Sequence, residues 1–228
     1  MNVLVIAAHP DDEVCGMGGT IAKLASKGDK VYVLFVTDGC TSQYRHCSNL
    51  DEILKRKYEE AKRATDVLGV KKIFFGDLPD MRLDNIDHIE VNNVIENVVK
   101  EIEPEAVYTH FYGDVNLDHQ CVYKSTLVAV RPLPGQSVKE VYCYSVPSST
   151  EWTAGTSSTT FMPNVYVDIS NYAEKKYAAF AEYKTEVREF PHPRSVEHMK
   201  ALDTAVGLQV GLGRSESFML LRKTITAE

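Results

Sequence analysis

The chain has 228 residues, 44% of them hydrophobic and 25% charged, and a formal net charge of -7. That length and mix describe one globular domain over residues 1–228 with a full core, and they exclude a disordered chain. An acidic balance with no dense Lys/Arg run argues against a nucleic-acid partner and for a neutral or weakly charged small molecule.

The first predicted element is the apolar run Val3 to Ala8, which reads as a parallel strand covered on both faces. It has no basic lead and stops at His9, too short for a signal peptide or a membrane span; the expectation is a cytoplasmic protein with no membrane segment. A small-residue loop and a helix over Gly18 to Ala25 follow, closing at Gly28. Val31 to Thr37 is the second strand, and Leu50 to Leu68 a charged helix ending at Gly69. Lys72 to Phe75 is the third strand, Val91 to Ile102 a helix, Ala106 to His110 the fourth strand, Asp118 to Val130 a helix, and Val141 to Tyr144 the fifth strand. Strands alternating with helices predict an α/β, doubly wound, Rossmann-like and mostly parallel sheet of order 3-2-1-4-5. The last third changes character. A strand at Val165 to Val167, a helix from Tyr172 to Lys184, a proline-punctuated loop at Phe190 to Pro193 and a helix from Val196 to Ala205 read as C-terminal elaborations. Five cysteines without CxxC spacing indicate a reducing compartment and no disulfide framework.

The chemistry concentrates in two places. His9-Pro10-Asp11-Asp12-Glu13 follows the first strand, and His110 through His119 follows the fourth. In an open α/β sheet ligands bind at the carboxyl ends of the strands where strand order reverses, here between strands one and four, so the two clusters meet at one crevice. Two imidazoles and a carboxylate make a hydrolytic metal site with an open position, and His9, Asp12 and His119 supply them. Asp11 is then free to act as a base. Glu13 reads as a cap for the following helix, Cys15 and Cys121 as small hydrophobes, and Asp38-Gly39 as a strand-end turn. Trp152 beside Glu151 is either a sugar-stacking wall or plain packing. The glycines at 16, 18 and 19 lack dinucleotide-loop spacing.

These residues resemble the PIG-L/LmbE-type zinc de-N-acetylases. The pattern Ala8-His9-Pro10-Asp11-Asp12-Glu13 with Gly18-Gly19-Thr20, and Asp118-His119 further on, carry the resemblance. Weaker matches are Arg56-Lys57-Tyr58-Glu59-Glu60-Ala61, Val146 to Trp152, and Ser215-Glu216-Ser217-Phe218. The resemblance implies Zn2+ held by His9, Asp12 and His119, Asp11 as general base, and removal of an N-acetyl group from an amino sugar or its conjugate. Asp118 orients an imidazole from behind. The family often carries a His three positions before the ligand His, where it steadies the oxyanion; here that residue is Asn116, which donates a hydrogen bond but holds no charge. His192, between Pro191 and Pro193, is the candidate replacement. Two other readings use the same fold: a non-catalytic sugar or nucleotide-sugar binding module, and a non-haem iron site built on two His and one carboxylate. A homo-oligomer is compatible with either.

Overall fold

The computed structural model describes residues 1–44 and 46–225. Its strands are β1 (Asn2–Ala7), β2 (Lys30–Thr37), β3 (Lys72–Leu78), β4 (Ala106–His110), β5 (Glu140–Tyr144), β6 (Val165–Asp168) and β7 (Ser215–Lys223), in one sheet of order β3-β2-β1-β4-β5-β7-β6. Its helices are α1 (Asp12–Ser26), α2 (Thr41–Tyr44), α3 (Leu50–Leu68), α4 (His88–Ile102), α5 (Leu117–Ala129), α6 (Ala173–Glu182) and α7 (Val196–Leu208). The first five strands are parallel and stand in the predicted order.

β1 lies at the centre because it is apolar on both faces. Val3, Val5 and Ala7 join a core with Val14 and Ile21 of α1, Ala64 of α3 and Phe180 of α6. Leu4 and Ile6 face the opposite core, with Val91 and Ile95 of α4 and Val122 of α5. A buried Val, Leu or Ile contributes roughly 1.5–3 kcal/mol, against a backbone ordering cost of about 1–2 kcal/mol per residue. A strand buried on both faces therefore orders the centre of the sheet, and the loop leaving it starts from a fixed point.

Two features differ from the expected pattern. The glycine-rich stretch after β1 is not a loop: α1 begins at Asp12 and runs through it, with a kink at Met17 (φ -155°, ψ 25°). Its glycines serve close packing, since a Cβ on Gly16 would lie 2.3 Å from the Tyr144 ring and one on Gly19 2.8 Å from Ile169. The second difference is β7, which the sequence reading does not contain. It runs antiparallel between β5 and β6 and extends the sheet past its parallel part. Its Glu216 clasps the kinked helix by accepting the Gly19 N–H (3.0 Å) and the Thr20 N–H (2.7 Å). Lys176 neutralises Glu216 at 2.9 Å and reaches Asp203 at 2.8 Å. The closing motif Ser215-Glu216-Ser217-Phe218 is thus a brace for the helix that carries the site.

Candidate metal centre and cleft

Because β1 and β4 are neighbours, the loops leaving their carboxyl ends share one crevice. The chain leaves β1 through Ala8, His9 and Pro10, and Asp11 turns it into α1 with φ 125° and ψ -25°. The Asp11 carbonyl accepts the Val14 and Cys15 N–H groups, which starts the helix. Asp12, in the first turn, accepts the His9 backbone N–H at 2.9 Å. On the other side Asn116 caps α5, its side-chain oxygen accepting the Asp118 N–H at 2.9 Å, and this places His119 in the first turn.

His9, Asp12 and His119 converge. Their ligating atoms lie within 4.8 Å of one another, and all three residues are buried. Asp12 Oδ2 is 3.2 Å from His9 Nδ1 and 3.3 Å from His119 Nε2. The far nitrogen of each ring meets a carboxylate: His9 Nε2 stands 3.1 Å from Asp118 Oδ2, and His119 Nδ1 stands 3.1 Å from Asp114 Oδ2. Asp118 is itself fixed by the Met81 N–H (2.7 Å) and the Leu83 N–H (3.0 Å). Asp114 is fixed by Ser149, by Thr150 (2.6 Å) and by the Asn116 N–H (2.8 Å).

Two observations say that this group suits a cation. Asp12 Oδ1 and His119 Nε2 are buried without a hydrogen-bond partner among the described residues, which is costly unless a metal takes them up. The charge environment agrees. Burial alone would lower the His119 pKa, but Asp12 and Asp114 outweigh it and raise it to about 9. Burial would likewise raise Asp114, yet the His119 contacts and the two hydroxyls hold it at about 2. The carboxylates thus draw positive charge on to the imidazoles, a demand that a dication meets in place of protons.

Asp11 stands beside this group, 1% exposed. Burial pushes its carboxyl up to about 7, against the pull of Arg194 and with the push of Asp12 and Glu186. Its Oδ2 lies 3.1 Å from Arg194 Nη1. That contact is an ion pair: among the described residues Oδ2 is buried without a hydrogen-bond partner. The cleft in front is about 80 Å³, lined by His9, Asp11, Asp80, Asn116, Glu186 and Arg194, among others. A larger pocket of about 410 Å³ is lined by Val146, Pro147 and Thr150, together with Phe161, His198 and Leu202 among others.

The structure places the expected residues as follows. His9, Asp12 and His119 are together, with Asp11 and Asp118 adjoining them. Asn116 lines the cleft, with Nδ2 3.5 Å from Met81 Sδ. His192 is not among the cleft-lining residues; it sits in a turn, and its Nδ1 accepts the Arg194 backbone N–H at 2.9 Å. Glu13 caps the turn by accepting the Asp11 N–H (3.1 Å) and also receives the Tyr183 hydroxyl (2.6 Å). Asp38 accepts the Cys40 and Thr41 N–H groups, as a strand-end turn does. Trp152 is 59% exposed, and neither Cys15 nor Cys121 belongs to the metal group. Asp114, Asp80, Lys57, Glu186 and Arg194 were not singled out from the sequence. Asp114, inside the second His/Asp cluster, and Lys57, inside the weaker Arg56 to Ala61 match, carried a local signal.

With this geometry in hand, the comparisons with known proteins are specific. The E. coli strain K12 protein named uncharacterized deacetylase YaiS is 30% identical over 193 residues, 81% of this chain and 91% of that protein. The diacetylchitobiose deacetylase of Thermococcus kodakarensis is 31% identical over 193 residues, 82% of this chain and 71% of its own. The solved N,N'-diacetylchitobiose deacetylase of Pyrococcus horikoshii superposes with a TM-score of 0.78 at 22% identity, covering 97% of this chain and 84% of that one. The family described as PIG-L, GlcNAc-PI de-N-acetylase, matches residues 4–130, a stretch that holds both clusters, and the chain belongs to that family.

Proposed function

We propose that this protein is a zinc-dependent hydrolase that removes the acetyl group from the nitrogen of an N-acetylated amino sugar or amino-sugar conjugate, releasing acetate and a free amine. The observation that carries this reading is the buried His9–Asp12–His119 group with orphaned ligand atoms, directly beside Asp11, whose Oδ2 is likewise buried without a hydrogen-bond partner among the described residues. The deacetylase name of the Thermococcus kodakarensis relative supports it.

His9, Asp12 and His119 would hold zinc, which supplies Lewis acidity toward water and toward the acyl oxygen. The protein's residues supply the rest. Asp118 and Asp114 take the far ring nitrogens, fixing tautomer and orientation of both imidazoles. Asp11 takes a proton from the attacking water and returns it to the departing amine nitrogen. One positioned acid/base of this kind is worth roughly 10²- to 10⁴-fold. Asn116 already gives its side-chain oxygen to the helix cap and one Nδ2 hydrogen to Met81 Sδ, which leaves its second Nδ2 hydrogen as a donor at the rim for a substrate oxygen.

The test is a release assay over N-acetylated mono- and disaccharides and their conjugates, with zinc supplied and oxygen excluded. Stoichiometric acetate and amine from at least one substrate class is the expected result. Zinc-loaded protein that binds such sugars and releases nothing would favour a binding module. A product that appears only with oxygen would favour iron chemistry.

A further inference from the structure

The proposed reaction leaves one electrostatic demand unmet by the residues assigned so far. As water attacks, its O–H bond breaks and the proton goes to Asp11. The new O–C bond forms, and the carbonyl π pair moves on to the acyl oxygen. A negative charge therefore migrates from Asp11 to that oxygen. When the C–N bond later breaks, the nitrogen takes the proton from Asp11 and the charge balance is restored. A fixed positive group near Asp11 would serve both ends of this migration, and Asn116 cannot be that group.

We propose that Arg194, in the loop between α6 and α7, is the positioning residue for Asp11 and the source of this charge; the proposal rests on the reading of Asp11 as base. The guanidinium is clamped on several sides. Its Nε donates to Ser148 Oγ at 2.9 Å, and Nη1 donates to Glu186 Oε2 at 2.7 Å while facing Asp11 Oδ2 at 3.1 Å. The other Glu186 oxygen is engaged by the buried Lys57. Nη2 donates no hydrogen bond among the described residues.

The charge count shows what this arrangement does. Lys57 and Arg194 carry two positive charges, and Glu186 and Asp11 two negative ones, so the buried quartet is neutral before reaction. Lys57 is matched by Glu186. Once Asp11 is protonated, the quartet is left with one positive charge at Arg194, at the moment when the acyl oxygen turns negative. The attraction grows toward the transition state instead of being spent on the ground state, and the clamped guanidinium needs no reorganisation. The pair holds Asp11 through charge alone, since Oδ2 is buried without a hydrogen-bond partner among the described residues. His192 is not among the cleft-lining residues, and its Nδ1 accepts the Arg194 backbone N–H.

The experiment compares zinc-loaded wild type, Arg194→Ala and Arg194→Lys. Arg194→Ala should keep its zinc and hold KM within about 3-fold, while kcat falls ~10²- to 10³-fold. Arg194→Lys should recover only part, because a point charge cannot hold Ser148, Glu186 and Asp11 together. Added ethylguanidinium should raise turnover of Arg194→Ala about 10-fold or more without affecting wild type. Wild-type kcat in Arg194→Ala, a loss confined to KM, or failure of rescue would each overturn the proposal. If Arg194→Ala does not fold, Ser148→Ala removes only the Nε anchor and should still lower kcat with KM unchanged; wild-type turnover there would also overturn it. A crystal structure of zinc-loaded Arg194→Ala separates this proposal from the reaction itself. Displacement of the Asp11 carboxylate supports the positioning role even if no substrate is turned over, and an unmoved carboxylate refutes it. Zinc-loaded wild type that releases no acetate refutes only the reaction.

Discussion

Asp11 holds a backbone conformation, φ 125° and ψ -25°, that a residue with a Cβ rarely adopts. Such positions cost of order 1–3 kcal/mol and persist where the surroundings over-determine them. Here the fixed end of β1, the start of α1 and the Asp11–Arg194 pair do so. The clean perturbation is a comparison of Asp11→Gly with Asp11→Ala, since both lose the carboxylate and differ only in the Cβ. At an ordinary position glycine is worse than alanine by roughly 0.5–1 kcal/mol, because its unfolded state has more freedom. At Asp11 the relieved strain outweighs that, so Asp11→Gly should be more stable than Asp11→Ala by about 0.5–2 kcal/mol. For a chain of this length each kcal/mol moves Tm by roughly 2–4 °C, so the two midpoints should differ by a few degrees, glycine higher. Thermal and urea denaturation of both variants, with and without zinc, measures it. Neither variant should turn over substrate. If alanine equals or exceeds glycine in stability, the strain is not real, and the idea that the fold spends stability to aim Asp11 goes with it.

Other consequences follow from the site. His9→Ala and His119→Ala should purify without zinc, whereas Asp11→Asn should keep it and lose roughly 10²- to 10⁴-fold in turnover; metal analysis beside kinetics checks this, and the reverse pattern for Asp11 and Asp12 would exchange their roles. Asp114→Ala and Asp118→Ala each free one imidazole's far nitrogen and should weaken zinc about 10- to 100-fold, measured by competition with a chelating dye. His192→Ala should stay within about 3-fold of wild-type kcat, in contrast to Arg194→Ala; a large loss would restore His192 as the working cation. Activity on short N-acetylglucosamine derivatives should need neither detergent nor bilayers, and an assay that gives turnover only with a membrane-presented substrate would contradict this.

How much of this was legible in the sequence depends on distance along the chain. β1 through β5 and their order were readable because each buried strand is a local apolar run. The crevice followed from that order, and the His/Asp clusters sit within a few residues of strand ends. α1 was misjudged at its start, since Gly16, Gly18 and Gly19 look like loop residues until Tyr144 and Ile169 are seen packed against them. β7 was missed because Ser215–Lys223 mixes polar and apolar residues, and an antiparallel position beyond the buried parallel strands lacks the continuous apolar run that marks β1. Asp114 was within reach, standing inside the second cluster. The roles of Lys57, Glu186 and Arg194 were not, because their meaning lies in contacts across 129 positions (Lys57 to Glu186) and between Arg194 and Asp11. His192, the residue selected in the loop after α6, is not among the residues that line the cleft, whereas Arg194, two positions on, is.

The central claim is most directly tested by titrating zinc into metal-free protein while following both bound metal and acetate released from an N-acetylated amino sugar. The account predicts that acetate release rises with zinc up to one equivalent in wild type. It further predicts that Asp11→Asn binds the same equivalent and releases acetate at least about 10²-fold more slowly. Release that is independent of zinc, or equal in Asp11→Asn and wild type, would contradict it.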